Sequence, residues 1–110
     1  MIAGVGIDIV SVERIAKAMR RERFLERLLT PTERSEIKEA EWVAGRWAAK
    51  EAVIKALGRP VSFQVIEVTT GALGAPVASL SGSPGLRVHV SISHERGTAV
   101  AMAVIERPNL

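Results

Sequence analysis

Three side chains within residues 45–58 lie one helical turn apart and could form part of a chemical site. Trp47, Glu51 and Lys55 follow each other at intervals of four residues, so a helix would place them on one face. As a solvated ion pair, Glu51 and Lys55 would contribute only about 0.3–0.5 kcal/mol. The functional alternative is a metal ligand beside a phosphate-binding lysine. Mg²⁺ commonly takes one or two protein carboxylates together with substrate phosphate oxygens.

A second candidate carboxylate, Asp8, ends the segment GVGID near the start of the chain. Over residues 2–10, apolar side chains alternate with Gly4, Gly6 and Asp8, which predicts a strand whose glycine side is almost bare. Another backbone or a ligand could approach that side closely. Asp8 is either a site residue or an aspartate that ends the strand and caps the next helix. The full dinucleotide-binding pattern GxGxxG is absent from this segment.

Two hydroxyls and an imidazole end the segment VHVSISH, residues 88–94. Ser91, Ser93 and His94 could bind a phosphate or a nucleotide, or they could be a polar strand end. Ser93 and His94 are adjacent in sequence and poorly placed to face each other, which argues against a Ser–His–acid nucleophile. Hydrolase chemistry is therefore disfavoured.

Six of the fifteen basic residues fall within residues 14–27, where only Glu22 and Glu26 oppose them. They are Arg14, Lys17, Arg20, Arg21, Arg23 and Arg27. Such a basic segment would attract an acidic partner, although a solvated helix face is the simpler interpretation. Nucleic-acid binding is disfavoured because only one aromatic residue, Phe24, is available there for stacking on bases.

The hydrophobic periodicity predicts an α+β fold in which one strand and several helices precede a β-rich half. Ser11 is expected to cap the first helix, and TPTE, residues 30–33, reads as a capping box. The longest helix is expected over residues 41–57, closed by Gly58. Strands are expected over residues 2–10, 61–70, 77–80, 86–93 and 98–106, the last of them covered on both faces.

Length and composition indicate one compact soluble domain spanning residues 1–110. The chain has no cysteine, which excludes disulfides and thiolate metal sites and fits a cytoplasmic location. Its first residues lack the basic start of a signal peptide. Its longest apolar run, residues 99–105, is too short to span a bilayer.

Four segments together resemble the holo-acyl-carrier-protein synthase family, the short bacterial type of 4′-phosphopantetheinyl transferase. They are GIDIVSVERI, FLERLLTPTE, AGRWAAKEAVIKALG and VHVSISH, in that order, and the resemblance covers nearly the whole chain. It implies an enzyme that moves the phosphopantetheine arm of coenzyme A to a serine of apo acyl carrier protein, in fatty acid biosynthesis. The product released would be adenosine 3′,5′-bisphosphate.

The resemblance also implies Mg²⁺, an antiparallel sheet packed with a long central helix, and a homotrimer with its sites between subunits. Asp8 and Glu51 match the family's metal-binding carboxylates, and Lys55 matches a lysine near the coenzyme phosphates; these three are the implied catalytic residues, and Lys50 could assist Lys55. The implied coenzyme surface comprises Lys55 together with Arg46, Gly58, Pro76, Ser91, Ser93 and His94. The implied carrier-protein surface comprises Arg14, Lys17, Arg20, Arg21 and Arg23. Trimer burial would also account for the bare glycine side of the first strand and the apolar strand 98–106.

This chain departs from the family pattern in two segments. The stretch between Leu29 and Gly45 is shorter than usual, and after Gly58 the chain passes through Arg59 and Pro60 without the usual glycine-containing loop. Coenzyme contacts near that loop are expected to differ. The alternative to an enzyme is a non-catalytic protein that binds coenzyme A or the carrier protein on the same trimeric scaffold. A mere binder would not need Asp8, Glu51 and Lys55 together.

Overall fold

The chain adopts the predicted α+β fold in a computed structural model that describes residues 1–108. In chain order these residues form β1 (Ile2–Ser11), α1 (Val12–Ala18), α2 (Phe24–Leu28), α3 (Pro31–Arg34), α4 (Ala40–Leu57), a 3₁₀ turn (Phe63–Val65), β2 (Ile66–Thr70), β3 (Pro76–Leu80), β4 (Arg87–Glu95) and β5 (Thr98–Glu106). Across residues 1–108, no helix has the length and apolar character needed to traverse a bilayer.

The strands of this region form two antiparallel sheets, which confirms the predicted pairing type. β5 lies between β1 and β4, and β2 pairs with β3. Ile7 lies opposite Met102, and Met102 lies opposite Ser91, so these three side chains share one face of the larger sheet. Asp8 and its partner Ala101 belong to the other face. The register therefore decides which candidate site residues lie on the same side of the sheet.

The glycines of β1 allow α4 to pack directly against the sheet. A Cβ atom on Gly4 would lie 1.9 Å from the carbonyl oxygen of Ala56, and one on Gly6 would lie 2.1 Å from that of Ala52. Any larger residue would therefore push the strand and the helix apart. The predicted close backbone approach is confirmed. Its partner is a helix of the same chain, so the interpretation that trimer burial explains the glycine side is wrong.

Helix α4 covers only one face of the β1–β5–β4 sheet. Alternate residues of β5 (Ala99, Ala101, Ala103 and Ile105) are buried in the core. On the opposite face Val5, Ile7 and Ile9 of β1 are 63%, 62% and 68% exposed, and Met102 of β5 is 49% exposed. The prediction that the last strand is covered on both faces is therefore wrong for the single chain. The uncovered side is apolar along β1 and β5 and polar along β4, where Ser91 and Ser93 are exposed, and it is called the outer face below.

Helices α1 and α3 begin at the predicted caps. The Ser11 hydroxyl accepts a hydrogen bond from the Arg14 backbone N–H at 3.1 Å, which starts α1. Thr30 and Glu33 form the complete capping box that starts α3. Gly58 ends α4 with a φ of 73°, a conformation that glycine adopts without strain.

A buried ion pair joins α3 to α4. Lys50 is fully buried, and its Nζ donates to Glu33 Oε1 at 2.6 Å, to the Leu28 carbonyl at 2.7 Å and to the Phe63 carbonyl at 3.0 Å. All three ammonium hydrogens therefore have acceptors within the core. Lys50 cannot reach a bound nucleotide in this arrangement, so the suggestion that it helps to stabilise a leaving bisphosphate is wrong.

The expected strand over residues 61–70 is formed only from Ile66 onward. Ser62 caps a 3₁₀ turn by accepting from the Gln64 backbone N–H at 3.1 Å. The Gln64 side-chain amide donates to the carbonyls of Glu26 and Leu29 at 2.8 Å and 2.7 Å. These bonds provide donors for carbonyl groups at the C-terminal end of α2. They also hold residues 63–65 in a turn, which the alternation of apolar residues does not predict.

Candidate active site

The close packing of β1 on α4 places Asp8 beside Lys55. The Lys55 Nζ lies 3.2 Å from Asp8 Oδ1 and donates to the Ile7 carbonyl oxygen at 3.0 Å. Only 15% of the Asp8 side chain is exposed, against 54% of the Lys55 side chain. A shielded carboxylate and an accessible ammonium thus meet where the first strand crosses the long helix.

Glu51 joins this pair from one turn earlier on α4. Partial burial raises the pKa of Glu51, and the negative charge of Asp8 raises it further, while Lys55 and Arg14 oppose the shift. The two carboxylates are therefore close enough to feel each other's charge, as the metal-site hypothesis requires. This arrangement is contained in one chain.

The donor set suits Mg²⁺ rather than a cation that needs a complete protein cage. Within residues 1–108, no group of three or more histidine, aspartate or glutamate side chains could hold a metal ion. Asp8 and Glu51 supply two hard oxygen donors, and Mg²⁺ usually completes its shell with water and substrate phosphate oxygens. The residues present fit that cation, with the remaining positions left to a substrate.

The predicted carrier-protein residues begin next to these carboxylates. Helix α1 follows β1 directly, so Arg14 lies close enough to lower the pKa of Glu51. All the basic side chains of this segment are exposed: Arg14, Lys17, Arg20, Arg21, Arg23 and Arg27. A negatively charged partner that docked on α1 would thereby approach the Asp8–Glu51 pair.

Ser91 and Ser93 lie away from the two carboxylates in the single chain. Both are exposed on the outer face, where Ser93 pairs with Val100 and lines an open groove of about 730 Å³. His94 also lines the groove, but its Nε2 lies 3.1 Å from the Glu41 carbonyl oxygen of α4. Because Asp8 faces α4, the sheet separates it from both serines.

Arg46 reaches the β2–β3 hairpin, in which Pro76 lies. The Arg46 Nη2 donates to Thr70 Oγ1 at 3.0 Å, and Thr70 pairs with Pro76. The guanidinium Cζ lies 4.3 Å from the centre of the Trp42 ring. Burial lowers the pKa of Arg46, opposed by nearby carboxylates, and its Nε has no hydrogen-bond partner in the part of the chain that is described. Gly58 lies elsewhere, at the opposite end of α4 beside Lys55.

Sequence reasoning missed an aromatic cavity next to the basic segment. The Trp47 ring stacks on Phe24 with centroids 5.9 Å apart and lies 5.2 Å from the centroid of Phe63. These rings line a cavity of about 250 Å³ together with Arg21 and Arg27. Phe63 comes from the 3₁₀ turn, and no spacing in the sequence connects it with Trp47.

Comparison with known proteins decides the family. The sequence model described as the 4′-phosphopantetheinyl transferase superfamily matches residues 4–105. A holo-[acyl-carrier-protein] synthase of Geobacillus kaustophilus is 48% identical over 118 aligned positions, which cover 97% of this chain and 91% of that protein. The chain belongs to the holo-acyl-carrier-protein synthase family. The corresponding protein of Bacillus subtilis is 44% identical over 97% of the chain and 98% of its own length.

Solved structures of the family share the fold. The Bacillus anthracis holo-(acyl-carrier-protein) synthase in complex with CoA (3′,5′-ADP) is 43% identical and superimposes with a TM-score of 0.88 over 98% of this chain and 99% of that one. The Helicobacter pylori synthase in complex with coenzyme A is 36% identical, with a TM-score of 0.87 over 93% and 99%. The predictions of family and of an enzyme are confirmed. The 118 aligned positions exceed the 110 residues of the chain, so the Geobacillus protein has residues that this chain lacks.

Proposed function

We propose that the chain transfers 4′-phosphopantetheine from coenzyme A to a serine hydroxyl of apo acyl carrier protein, with Mg²⁺, and releases adenosine 3′,5′-bisphosphate. The observation that carries the proposal is the convergence of Asp8, Glu51 and Lys55 beside the exposed basic helix α1. Curated relatives bear the name of this enzyme, and the Bacillus anthracis relative was crystallised with CoA (3′,5′-ADP).

In the proposed reaction the serine oxygen attacks the phosphorus attached to the pantetheine arm. The bond between that phosphorus and the bridging oxygen breaks, and the electron pair leaves with the bisphosphate. A divalent cation held by Asp8 and Glu51 would neutralise the diphosphate charge. Lys55 is exposed enough to donate to phosphate oxygens. Glu51, or a water molecule that it orients, accepts the serine proton.

The proposed assembly is a homotrimer whose active sites lie between subunits. Two features of the single chain support it. The outer face exposes Val5, Ile7 and Ile9, a surface of the kind that marks protein contacts. Ser91 and Ser93 lie on that same face, on the other side of the sheet from Asp8. A neighbouring subunit packed there would bring its carboxylates to these serines and so complete a coenzyme surface.

The proposed acceptor is a small acidic carrier protein of fatty acid biosynthesis in the cytoplasm. The exposed basic residues of segment 14–27 would attract and orient such a partner. Because Arg14 lies near Glu51, a partner that docks on α1 would bring the acceptor serine toward the base. Arg46, Pro76 and His94 remain candidates for coenzyme contacts.

The test is a mass measurement on the acceptor. Incubation of the chain with coenzyme A, Mg²⁺ and apo carrier protein is expected to add the mass of phosphopantetheine to the carrier. Glu51→Gln should abolish this gain while the protein stays folded. Glu106→Gln is the matched control, because Glu106 bonds His89 at the end of β5 remote from Asp8. An unmodified carrier that nevertheless binds would favour the non-catalytic alternative. Retained turnover in Glu51→Gln would remove Glu51 from the mechanism.

A further inference from the structure

Lys55 already pairs with one oxygen of the carboxylate that a divalent cation would need. Its ammonium lies 3.2 Å from Asp8 Oδ1, and only 15% of the Asp8 side chain is exposed. An ammonium and a hard cation are both attracted to the same oxygens and repel each other at short range. The Lys55 ammonium therefore takes the position beside Asp8 that a bound divalent cation would need.

The contacts of Lys55 leave it free to move. Within residues 1–108 its ammonium bonds to Asp8 and, at 3.0 Å, to the Ile7 carbonyl, and 54% of its side chain is exposed. Among the described residues β1 pairs only with β5, so it is an edge strand of the sheet. Lys55 therefore bonds to a carbonyl of an edge strand and is not enclosed in the core. A pair whose ammonium is more than half exposed is weakly held, and a competing anion can draw the lysine away from its carboxylate.

We propose that Lys55 competes with the divalent cation for Asp8, and that the coenzyme diphosphate relieves this competition by drawing the ammonium onto its own oxygens. The inference rests on the proposed function, because it takes coenzyme A and a cation as the ligands of this site. Before coenzyme A binds, the cation meets Lys55 at Asp8 and binds weakly. Once the diphosphate is present, Lys55 bonds to phosphate and releases Asp8.

Thermodynamic linkage makes this coupling reciprocal. If coenzyme A strengthens cation binding by some factor, the cation must strengthen coenzyme binding by the same factor. Lys55 then contributes twice, by offsetting one carboxylate charge of the empty site and by coupling the binding of the two ligands. A lysine that only bound phosphate would affect coenzyme affinity and leave cation affinity in the absence of coenzyme unchanged.

The experiment measures Mn²⁺ affinity by calorimetric titration and by electron paramagnetic resonance, with and without coenzyme A. In Lys55→Met without coenzyme A, Mn²⁺ is expected to bind about tenfold more tightly than in the wild type. The strengthening caused by coenzyme A should be smaller in the variant by about the same factor. Pantetheine, which lacks the diphosphate, should cause no strengthening in either protein.

Two further variants control for charge and folding. Lys38→Met removes one exposed lysine just before α4 and should leave Mn²⁺ affinity unchanged. Lys55→Arg keeps a cation at the site and should restore the weak binding of the wild type. Lys55→Gln makes the same test if the methionine variant does not fold. Equal or weaker Mn²⁺ binding by Lys55→Met without coenzyme A would overturn the competition and leave the proposed transferase intact. Absence of Mn²⁺ binding even with coenzyme A would overturn the Asp8–Glu51 metal site, and this inference with it.

Discussion

Two lysines of helix α4 pair with carboxylates from other elements, and the two pairs differ in burial, in distance and in hydrogen bonding. Lys50 and Glu33 are both fully buried, 2.6 Å apart, and every hydrogen of the ammonium has an acceptor. Lys55 and Asp8 lie 3.2 Å apart, with the lysine more than half exposed. The first pair has no capacity left for a ligand, whereas the second has.

The comparison separates the structural from the chemical use of the same residue types. Glu33 also accepts from the backbone N–H groups of Thr30 and Val68, at 2.7 Å and 2.6 Å, so it fastens α3 and β2 to α4. A pair bonded in this way stabilises one arrangement. The Lys55–Asp8 pair lies instead beside Glu51. Partial burial and the negative charge of Asp8 raise the pKa of the Glu51 carboxyl.

The largest expected effect is at the buried pair. Lys50→Met leaves the Glu33 carboxylate buried without its cation and should lower the free energy of unfolding by about 3–5 kcal/mol. Thermal unfolding measures the loss, with Lys38→Met as the exposed control. The double variant Lys50→Met/Glu33→Leu should recover only part of it, because two backbone N–H groups lose their acceptor. A small loss in Lys50→Met would mean that the buried pair is not what fastens these elements.

A smaller effect is expected where the glycines bring β1 onto α4. In Gly6→Ala the new methyl group would overlap the Ala52 carbonyl, and the strand must shift at a cost of about 1–3 kcal/mol. The shift also moves Asp8 away from Glu51, so Mn²⁺ binding in the presence of coenzyme A should weaken. Gly85→Ala is the matched control, since a Cβ there meets no atom within 4 Å. Unchanged stability and metal affinity in Gly6→Ala would show that close packing does not position Asp8.

Charge reversal at Arg14, in the first turn of α1, tests whether this helix binds the carrier protein next to the Asp8–Lys55 pair. Arg14→Glu should raise the KM for the carrier protein about tenfold, equivalent to about 1.4 kcal/mol, and leave coenzyme A affinity unchanged. Steady-state kinetics with each substrate varied in turn distinguishes the two. The effect should shrink at high salt, because exposed charges are screened. Equal losses for both substrates would assign Arg14 a structural role.

The smallest expected effect is the destabilisation of the fold by the charged Glu51 carboxylate. The pKa of its carboxyl is higher in the folded chain than its usual value, so protonation favours folding and the charged form opposes it at neutral pH. Glu51→Gln should therefore raise Tm slightly at neutral pH. The difference from wild type should disappear as the pH falls through the pKa of Glu51. A lower Tm in the variant at neutral pH would show that the charged carboxylate stabilises the fold.

Much of the architecture could be predicted from local rules. The capping box at Thr30, the terminating Gly58 and the alternation of β1 depend on residues close together in the chain, and each appears at its predicted place. The stripe of Trp47, Glu51 and Lys55 likewise depends only on helical spacing. The 3₁₀ turn at Phe63 was missed because it depends on bonds from Gln64 to carbonyls more than thirty residues away.

The sequence alone determined the residue types of the candidate site, the elements that carry them and, through the joint likeness of four segments, the family. The tertiary structure decided which of these residues meet. It placed Asp8 against Lys55, enclosed Lys50 with Glu33, and put Ser91 on the far face of the sheet. The physical reason is that spacing fixes which side of one element a residue occupies, whereas burial and partner depend on which elements pack together.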